Sequence, residues 1–380
     1  MSLPESQQTL SIIHRSSGVL LVVPEKPSAD AFASMVATYL TLLEHYKGNV
    51  DAVSPSHVPQ QLQFLSGSSQ VKMQPAYQPD VVLDIAGPQK VEDVRYESLR
   101  GGVRVHVVLS EGASVEKDNI ETHVRALPYD AVLVFGAADL EELGDLFTKH
   151  ADFFYGTPII NIDYRARNEH FGTVNLVDIT ASSVAEVTHE LIRELVGDKL
   201  PPNIATCLYA GIVAATDSFQ SPTTRPRAFE LAAQLMNQEA DKESVIQHLV
   251  KTKPLHLLKL SGRLYARLKH DEYGGIFWSL LKAVDFSDSG ATSEDIPTAL
   301  AELEKNIAGY NLALVLHEET PGERYVAYIS LGKGLRGRRD EILQQLAAKR
   351  INGLMTVAII APNLEEAEKQ ALQFARSVLP

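Results

Sequence analysis

Residues 160–192 read INIDYRARNEHFGTVNLVDITASSVAEVTHELI, and the order of their parts decides the fold. A short branched run, Ile159–Ile162, delivers an acid, Asp163, and a polar loop follows. Thr180 to Val196 then carries Val184, Val187, Leu191 and Leu195 on one helical face, with Ser182 or Ser183 near its start and Gly197 at its end. Strand, loop and amphipathic helix in this order form the unit of a sheet crossed over by helices. Toward the N-terminus, Val19–Val23, Val81–Ile85, Val103–Leu109 and Ala131–Phe135 are further short runs bounded by Gly, Pro or charge. Asp30 to His45 places Phe32, Met35, Val36, Tyr39, Leu40 and Leu43 at helical spacing, and Ile204 to Ala215 adds an apolar helix. The expectation is an α/β domain whose largely parallel sheet contains all five runs, buried on both faces.

From Arg227 to Leu260 the chain reads as helix with intermittent anchors such as Leu231, Leu235 and Leu249. No Gly/Ser/Pro-rich tether interrupts it, so a helical linker is expected over 239–262, between a domain at 1–238 and a smaller one at 263–380. The smaller domain is expected to be α/β as well. Its strands are Gly275–Leu281, Leu312–Leu316, Arg324–Leu331 and Leu354–Ile360, and its helices Asp295–Ile307, Arg339–Lys349 and Leu364–Val378.

A length of 380 residues, 45% hydrophobic and 22% charged, suits two such domains. The single cysteine, Cys207, lies in IATCLYAGIVAA and reads as a buried thiol, which excludes an internal disulfide or a multi-cysteine metal knuckle. With 35 Lys plus Arg against 48 Asp plus Glu, the net charge of −13 opposes extensive nucleic-acid binding or attraction to an anionic membrane. MSLPESQQTLS has no basic start leading into an apolar core, and no apolar run reaches membrane-spanning length, so the expected compartment is the cytoplasm.

Asp163 is expected at the carboxyl edge of the sheet, where open α/β sheets bind ligands. Asp217 follows the apolar GIVAAT run and Asp30 opens the first crossover helix. Three acids after three elements can converge on a cleft that holds Mg²⁺ or Mn²⁺, or they can cap a helix and accept loop hydrogen bonds. Glu186 and His189 share a helical face either as metal ligands or as a solvent-facing pair, and His14 and His170 rebuild no site by spacing. LGKGLRGRRDEI, 331–342, sets Lys333, Arg336, Arg338 and Arg339 among glycines, as an anion nest or as a solvated loop. SGR at 261–263, EYGG at 272–275 and FQSPTTR at 219–225 read as turns, and no G-x-S-x-G supports a serine hydrolase.

NIDYRARNEHFGTVNLVDITASSVAE, 161–186, resembles the Asp-His-His motif and the Asp-x-x-Ala-Ser-Ser run of the DHH phosphoesterase family. AGIVAATDSFQSPTTRPRAFELAAQLM, 210–236, resembles the motif that follows, with Asp217 in its metal-ligand place and Thr223, Thr224 and Phe229 around it. The likeness is greatest to the branch of oligoribonucleases, phosphoadenosine-phosphate phosphatases and RecJ-like exonucleases. It implies a DHH-like domain and a smaller DHHA1-like domain facing each other across a cleft, and subunits that pair.

The departures bear on activity. In VVPEKPSADAFAS, 22–34, Pro24 and Ser28 stand where the family has His and Asp, leaving Asp30. In YDAVLVFGAADLEEL, 129–143, Gly136 replaces the bridging Asp. Tyr164 and Arg165 replace the paired histidines, while Asn168 persists. The family's Gly-Gly-Gly-His segment has no counterpart beyond Gly353. The resemblance therefore implies a degenerate, cofactor-free centre in an assembly protein or in a binder of a small phosphate-bearing ligand. Arg165 and Asn168, with Lys333, Arg336, Arg338 and Arg339, are then the ligand-binding candidates. Arg165 can also pair with Asp30 or Asp217 and fill the old metal cavity. The opposing expectation is a divergent Mn²⁺- or Mg²⁺-dependent phosphodiesterase for short oligonucleotides or cyclic dinucleotides, with Asp30 and Asp217 as metal ligands, Asp163 orienting and Arg165 holding phosphate.

Overall fold

A computed structural model describes residues 4–76, 80–86, 90–112, 115–116, 119–125, 127–251, 254–271, 275–346, 348–351 and 354–379. Gly353 and the first three residues of EYGG lie outside the described residues. The chain divides into two compact units, Met1–Thr252 and Lys253–Pro380.

The first unit runs α1 (Glu5–Arg15), β1 (Gly18–Val22), α2 (Ala29–His45), β2 (Asn49–Val53), β3 (Asp80–Ile85), β4 (Val91–Leu99), β5 (Gly102–Leu109), β6 (Ile120–Arg125), β7 (Ala131–Phe135), α3 (Asp145–Lys149), α4 (Ala151–Gly156), β8 (Ile159–Asp163), β9 (Val174–Val177), α5 (Val184–Val196), α6 (Pro202–Ala215), α7 (Pro226–Asn237) and α8 (Lys242–Ile246). Its main sheet has the order β2-β1-β7-β8-β9, every pair parallel. Successive side chains of β1, β7 and β8 enter opposite layers. Leu21, Leu133, Phe135 and Ile160 pack under α2, α5 and α6, while Leu20, Val132, Val134 and Ile159 pack with Leu143, Phe147 and Phe154. Two-sided burial explains why these strands read as unbroken apolar runs.

Two of the five expected core strands are elsewhere. Val81–Ile85 falls in β3 and Val103–Leu109 in β5, and each pairs antiparallel with a neighbour outside the parallel sheet, β3 with β6 and β4 with β5. In β5, Val103, Val105 and Val107 alternate with Arg104 and His106. A period of two marks a strand with one apolar face, and among the described residues no crossover helix flanks it. β2 and β9 take the places those runs were expected to fill.

The caps follow the sequence. The Ser28 hydroxyl accepts the Ala31 N–H and opens α2, and the Ser183 hydroxyl accepts the Glu186 N–H and opens α5. α5 ends at Gly197, whose φ of 87° is open to glycine without strain. Cys207 is fully buried, and burial pushes its thiol up to about 12.

The second unit runs α9 (Leu255–Ala266), β10 (Lys269–Asp271), β11 (Ile276–Leu281), α10 (Ala283–Ser289), α11 (Ile296–Lys305), β12 (Leu312–Thr320), β13 (Arg324–Leu331), α12 (Arg339–Gln345), β14 (Lys349–Ile351), β15 (Leu354–Ile360) and α13 (Leu364–Ser377). Its sheet, β10-β11-β12-β13-β15-β14, is mixed: only β11 and β12 are parallel. The two units are thus α/β domains of the expected kinds, the first mostly parallel and the smaller one mixed. Among the described residues no helix is long and apolar enough to cross a membrane.

Candidate functional site

β2 lies on one side of β1 and β7 on the other, so the chain's direction of winding reverses between β1 and β7. Loops at the carboxyl ends of the two strands diverge there and leave a crevice. A cavity of about 480 Å³ occupies it, lined by Pro24, Lys26 and Ser28 after β1, Gly136, Glu141 and Glu142 after β7, and Tyr164, Arg165 and Arg167 after β8, among others. α2, 17 residues long, starts at its edge with Ser28, so the positive end of the helix dipole is close by.

Asp163 ends β8 completely buried. Its carboxylate accepts the Tyr164 N–H at 2.8 Å, the Asn168 amide at 2.9 Å and the Arg165 Nε at 3.0 and 2.9 Å. Arg165 Nη2 stands 2.9 Å from the same carboxylate and 3.6 Å from Glu142. The expected pairing of Arg165 with Asp30 or Asp217 is therefore corrected: the acid is Asp163, two residues away, because the loop turns back at the strand end and lays the guanidinium along it. Asn168 is a strut. Its amide also donates to the Ala137 carbonyl and exchanges hydrogen bonds with Asn161, and its oxygen accepts the His170 N–H.

Glu142 was not singled out by sequence, yet it organises the cavity wall. It accepts the Ala138 N–H at 3.0 Å and Arg167 at 2.8 Å. Arg167 is two residues from Arg165 and mostly exposed. The only hint in the sequence was the repeated cation in YRAR.

Asp30 does not face this cavity. It is buried, and its two oxygens accept the Val184 and Ala185 N–H groups at 2.7 and 3.0 Å, capping α5 from α2. Burial pushes its carboxyl up to about 7, against the opposing pull of those two hydrogen bonds. Glu186 is also raised, chiefly by burial; it accepts the Ser182 N–H at 2.8 Å, and its other oxygen has no hydrogen-bond partner. His189 is buried and its pKa is lowered for that reason, so the expectation of a solvent-facing Glu186–His189 pair is corrected. Asp217 is exposed in a turn after α6 where Asp217, Ser218 and Phe219 all have positive φ, at 48°, 58° and 66°. Such a run in non-glycine residues is strained.

These acids do not form a metal centre. Among the described residues no group of three or more His, Cys, Asp or Glu side chains could hold a metal ion. Asp163 is saturated by protein donors and Asp30 by a helix terminus, so the residues present do not fit the two-metal scheme. In the second unit, Lys333 and Arg336 are exposed in a 3₁₀ segment, Arg336 donating to the Leu331 carbonyl. Arg338 pairs with Glu341 at 2.7 Å, and Arg339 is half-buried at the start of α12.

Removing the guanidinium exposes the cost of the Asp163 site. Arg165→Ala is expected to lower the stability of the first unit by about 2 kcal/mol, below the usual range for a broken buried pair because Asp163 keeps three other donors, the backbone N–H groups of residues 164 and 165 and the Asn168 amide, and Arg165 is 26% exposed. Urea unfolding checks it, with Arg165→Lys losing less.

No family model matches the chain. It is 31% identical over 153 residues to an uncharacterized protein of Mycoplasma genitalium, covering 40% of this chain and 45% of that one. It is 29% identical over 224 residues to the bifunctional oligoribonuclease and PAP phosphatase NrnA of Bacillus subtilis, covering 58% and 67%. The chain thus spans between under half and about two thirds of the length of these curated relatives. The crystal structure of an exopolyphosphatase-related protein from Bacteroides fragilis superposes with a TM-score of 0.68 over 98% of this chain and 96% of that one, at 14% identity, which is a likeness of fold alone. The chain is a distant homologue, at 24% to 29% identity, of DHH-family proteins of the oligoribonuclease and PAP phosphatase kind.

Proposed function

We propose that the first unit binds the phosphate of a small phosphate ester at the β1/β7 crevice and does not hydrolyse it through two metals. The observation that carries this reading is the Arg165 Nε–H shared between both oxygens of Asp163: a fixed guanidinium stands where the family motif has a histidine, and it consumes the acid beside it. Arg165 is pre-oriented by Asp163, Arg167 is held by Glu142, and the α2 terminus adds a partial positive charge. A guanidinium holds phosphate through paired N–H groups but delivers no hydroxide to phosphorus. The distant relatives described as oligoribonucleases and PAP phosphatases support a nucleotide-like ester as the ligand.

Calorimetry with phosphoadenosine phosphate and a short oligoribonucleotide, each with and without Mn²⁺, tests it. Binding is expected without Mn²⁺, and Arg167→Ala is expected to weaken it by about tenfold, the worth of one charge-assisted hydrogen bond. Stoichiometric Mn²⁺ binding with metal-dependent product release would overturn the reading in favour of a divergent phosphodiesterase.

A further inference from the structure

We propose that a second cavity beside the β1/β7 crevice takes the base of a ribonucleoside phosphate, and that Glu25, on the rim the two cavities share, accepts its ribose hydroxyls. The inference rests on the phosphate-ester reading and specifies the ester.

The second cavity has a volume of about 380 Å³ and lies within the first unit. Glu25 lines both it and the crevice, so the two meet at that residue. VVPEK, 22–26, leads out of β1, and the Glu25 N–H donates to the Glu142 carbonyl at 2.8 Å, which ties this loop to the one after β7. The Glu25 side chain then lies over Gly144: a Cβ there would stand 2.7 Å from Oε2 and 3.0 Å from Cδ. Gly144 has a φ of 60°, so glycine serves both the turn and the room for the carboxylate. Among the described residues the Glu25 carboxylate has no hydrogen bond or ion pair.

The walls are apolar and fixed. Leu127 and Leu146 are buried, and Pro75 and the 48% exposed Met73 stand beside them. Met73–Pro75 is irregular, but both its ends are pinned. The Lys72 N–H donates to the Ala52 carbonyl and the Lys72 carbonyl accepts the Ser54 N–H, both at 2.9 Å. Beyond Pro75, the Ala76 N–H donates to the Tyr129 hydroxyl at 3.1 Å. A pocket formed before its ligand arrives loses little entropy on binding.

Charge decides which part of an ester goes where. The crevice carries the guanidinium groups of Arg165 and Arg167. In the second cavity Lys149 is paired to Asp145 at 2.8 Å and Glu25 adds a negative charge, so an anion is repelled and a neutral group is received. Apolar walls suit a flat heterocycle, whose π face packs against the Met73 thioether. The Gln74 amide and the His150 ring belong to residues that line the cavity, and neither has a hydrogen-bond partner among the described residues, which leaves them for the polar edge of a base. A carboxylate accepts through two oxygens, and the vicinal hydroxyls of a ribose donate to such a pair. Phosphate, diol and heterocycle therefore meet guanidinium, carboxylate and apolar wall in the order in which a ribonucleotide carries them.

Calorimetry of the full chain with inorganic phosphate, ribose 5-phosphate, adenosine, adenosine 5′-monophosphate and its 2′-deoxy analogue tests this. The monophosphate is expected to bind about tenfold more tightly than ribose 5-phosphate, and about tenfold more tightly than the deoxy form, the worth of one hydrogen bond to a charged group. Glu25→Ala should bring the ribo and deoxy forms within about twofold of each other, and Met73→Ala should narrow the gap between the monophosphate and ribose 5-phosphate about fivefold. Both side chains are exposed, so neither variant should move the urea midpoint. If phosphate binds but the base adds no affinity, or the base gain survives Met73→Ala, or the ribose preference survives Glu25→Ala, the proposal is overturned while the phosphate-ester reading stands. If phosphate and ribose 5-phosphate do not bind and adenosine does, in a Met73-dependent way, that reading falls and the cavity keeps its base. Binding of none of these ligands would overturn both.

Discussion

Gly136→Asp, which restores the acid the family motif expects after β7, is expected to destabilise the first unit by about 4 kcal/mol and to recruit no metal. Gly136 closes β7 at φ 65°, where a side chain is strained, and a Cβ there would lie 2.7 Å from the Ala31 Cβ in the first turn of α2. Neither atom can yield cheaply: Ala31 has no rotamer to change, and α2 is held by its Ser28 cap and by the Asp30 bonds to α5. Left-handed strain in a non-glycine residue costs about 1 kcal/mol or more, and overpacking of a close-packed contact about 1 to 3 kcal/mol.

Gly136→Ala separates the causes, because it carries the same φ and the same overlap without the carboxylate. Near-equal losses in the two variants, read by urea unfolding, would show that the backbone around β7 has closed over the position the acid would need. A Gly136→Asp protein as stable as the wild type and binding Mn²⁺ would instead mean that loss of this one residue alone disabled the centre, and the phosphate-ester reading would fall with it. The change is thus a test of packing and of chemistry together.

Much of the first unit was legible because its core strands are buried on both faces: VLLVV, AVLVF and IINI leave little room for another reading. β5 misled for a definable reason. GVRVHVVL is as rich in valine as a core strand, and only the regular placing of Arg104 and His106 separates it from one. The site was legible as a position, the carboxyl edge carrying Asp163, but not as a set of partners. By sequence Arg165 pairs with Asp30 or Asp217, and Asp163, the acid two residues away, is passed over. The choice depends on how the loop after β8 turns and on the packing of α2 against α5, which hides Asp30. Glu142 was out of reach because its convergence with Arg165 and Arg167 comes from the adjacency of β7 and β8, across more than twenty residues of chain.

The first unit is expected to lose stability as pH rises from about 4 to about 7, opposite in sign to the usual behaviour of a hydrogen-bonded carboxylate. Asp30 has an ordinary value of 3.8 in the unfolded chain and is pushed up to about 7 when folded, burial outweighing the Val184 and Ala185 N–H groups. Below the lower value both states hold the proton and the stabilisation is complete; between the two only the folded state holds it, and above the higher value the advantage is gone. Three pH units correspond to about 4 kcal/mol at most, and relaxation around the ionised acid brings the expected loss nearer 2 kcal/mol. Glu186, raised by its own burial, acts in the same direction. Asp178 is held below its ordinary value by Thr180 and Arg227 despite desolvation, so it acts the opposite way, but only in more acidic solution. Urea midpoints at pH 5 and pH 8 measure the slope, and Asp30→Asn should remove most of it, at a constant cost because an amide cannot accept both N–H groups through oxygen. An equal slope in Asp30→Asn would assign the titration elsewhere. A wild-type midpoint that rises with pH would show that the two N–H groups of α5 hold Asp30 ionised after all, making it a charged cap and not a protonated one.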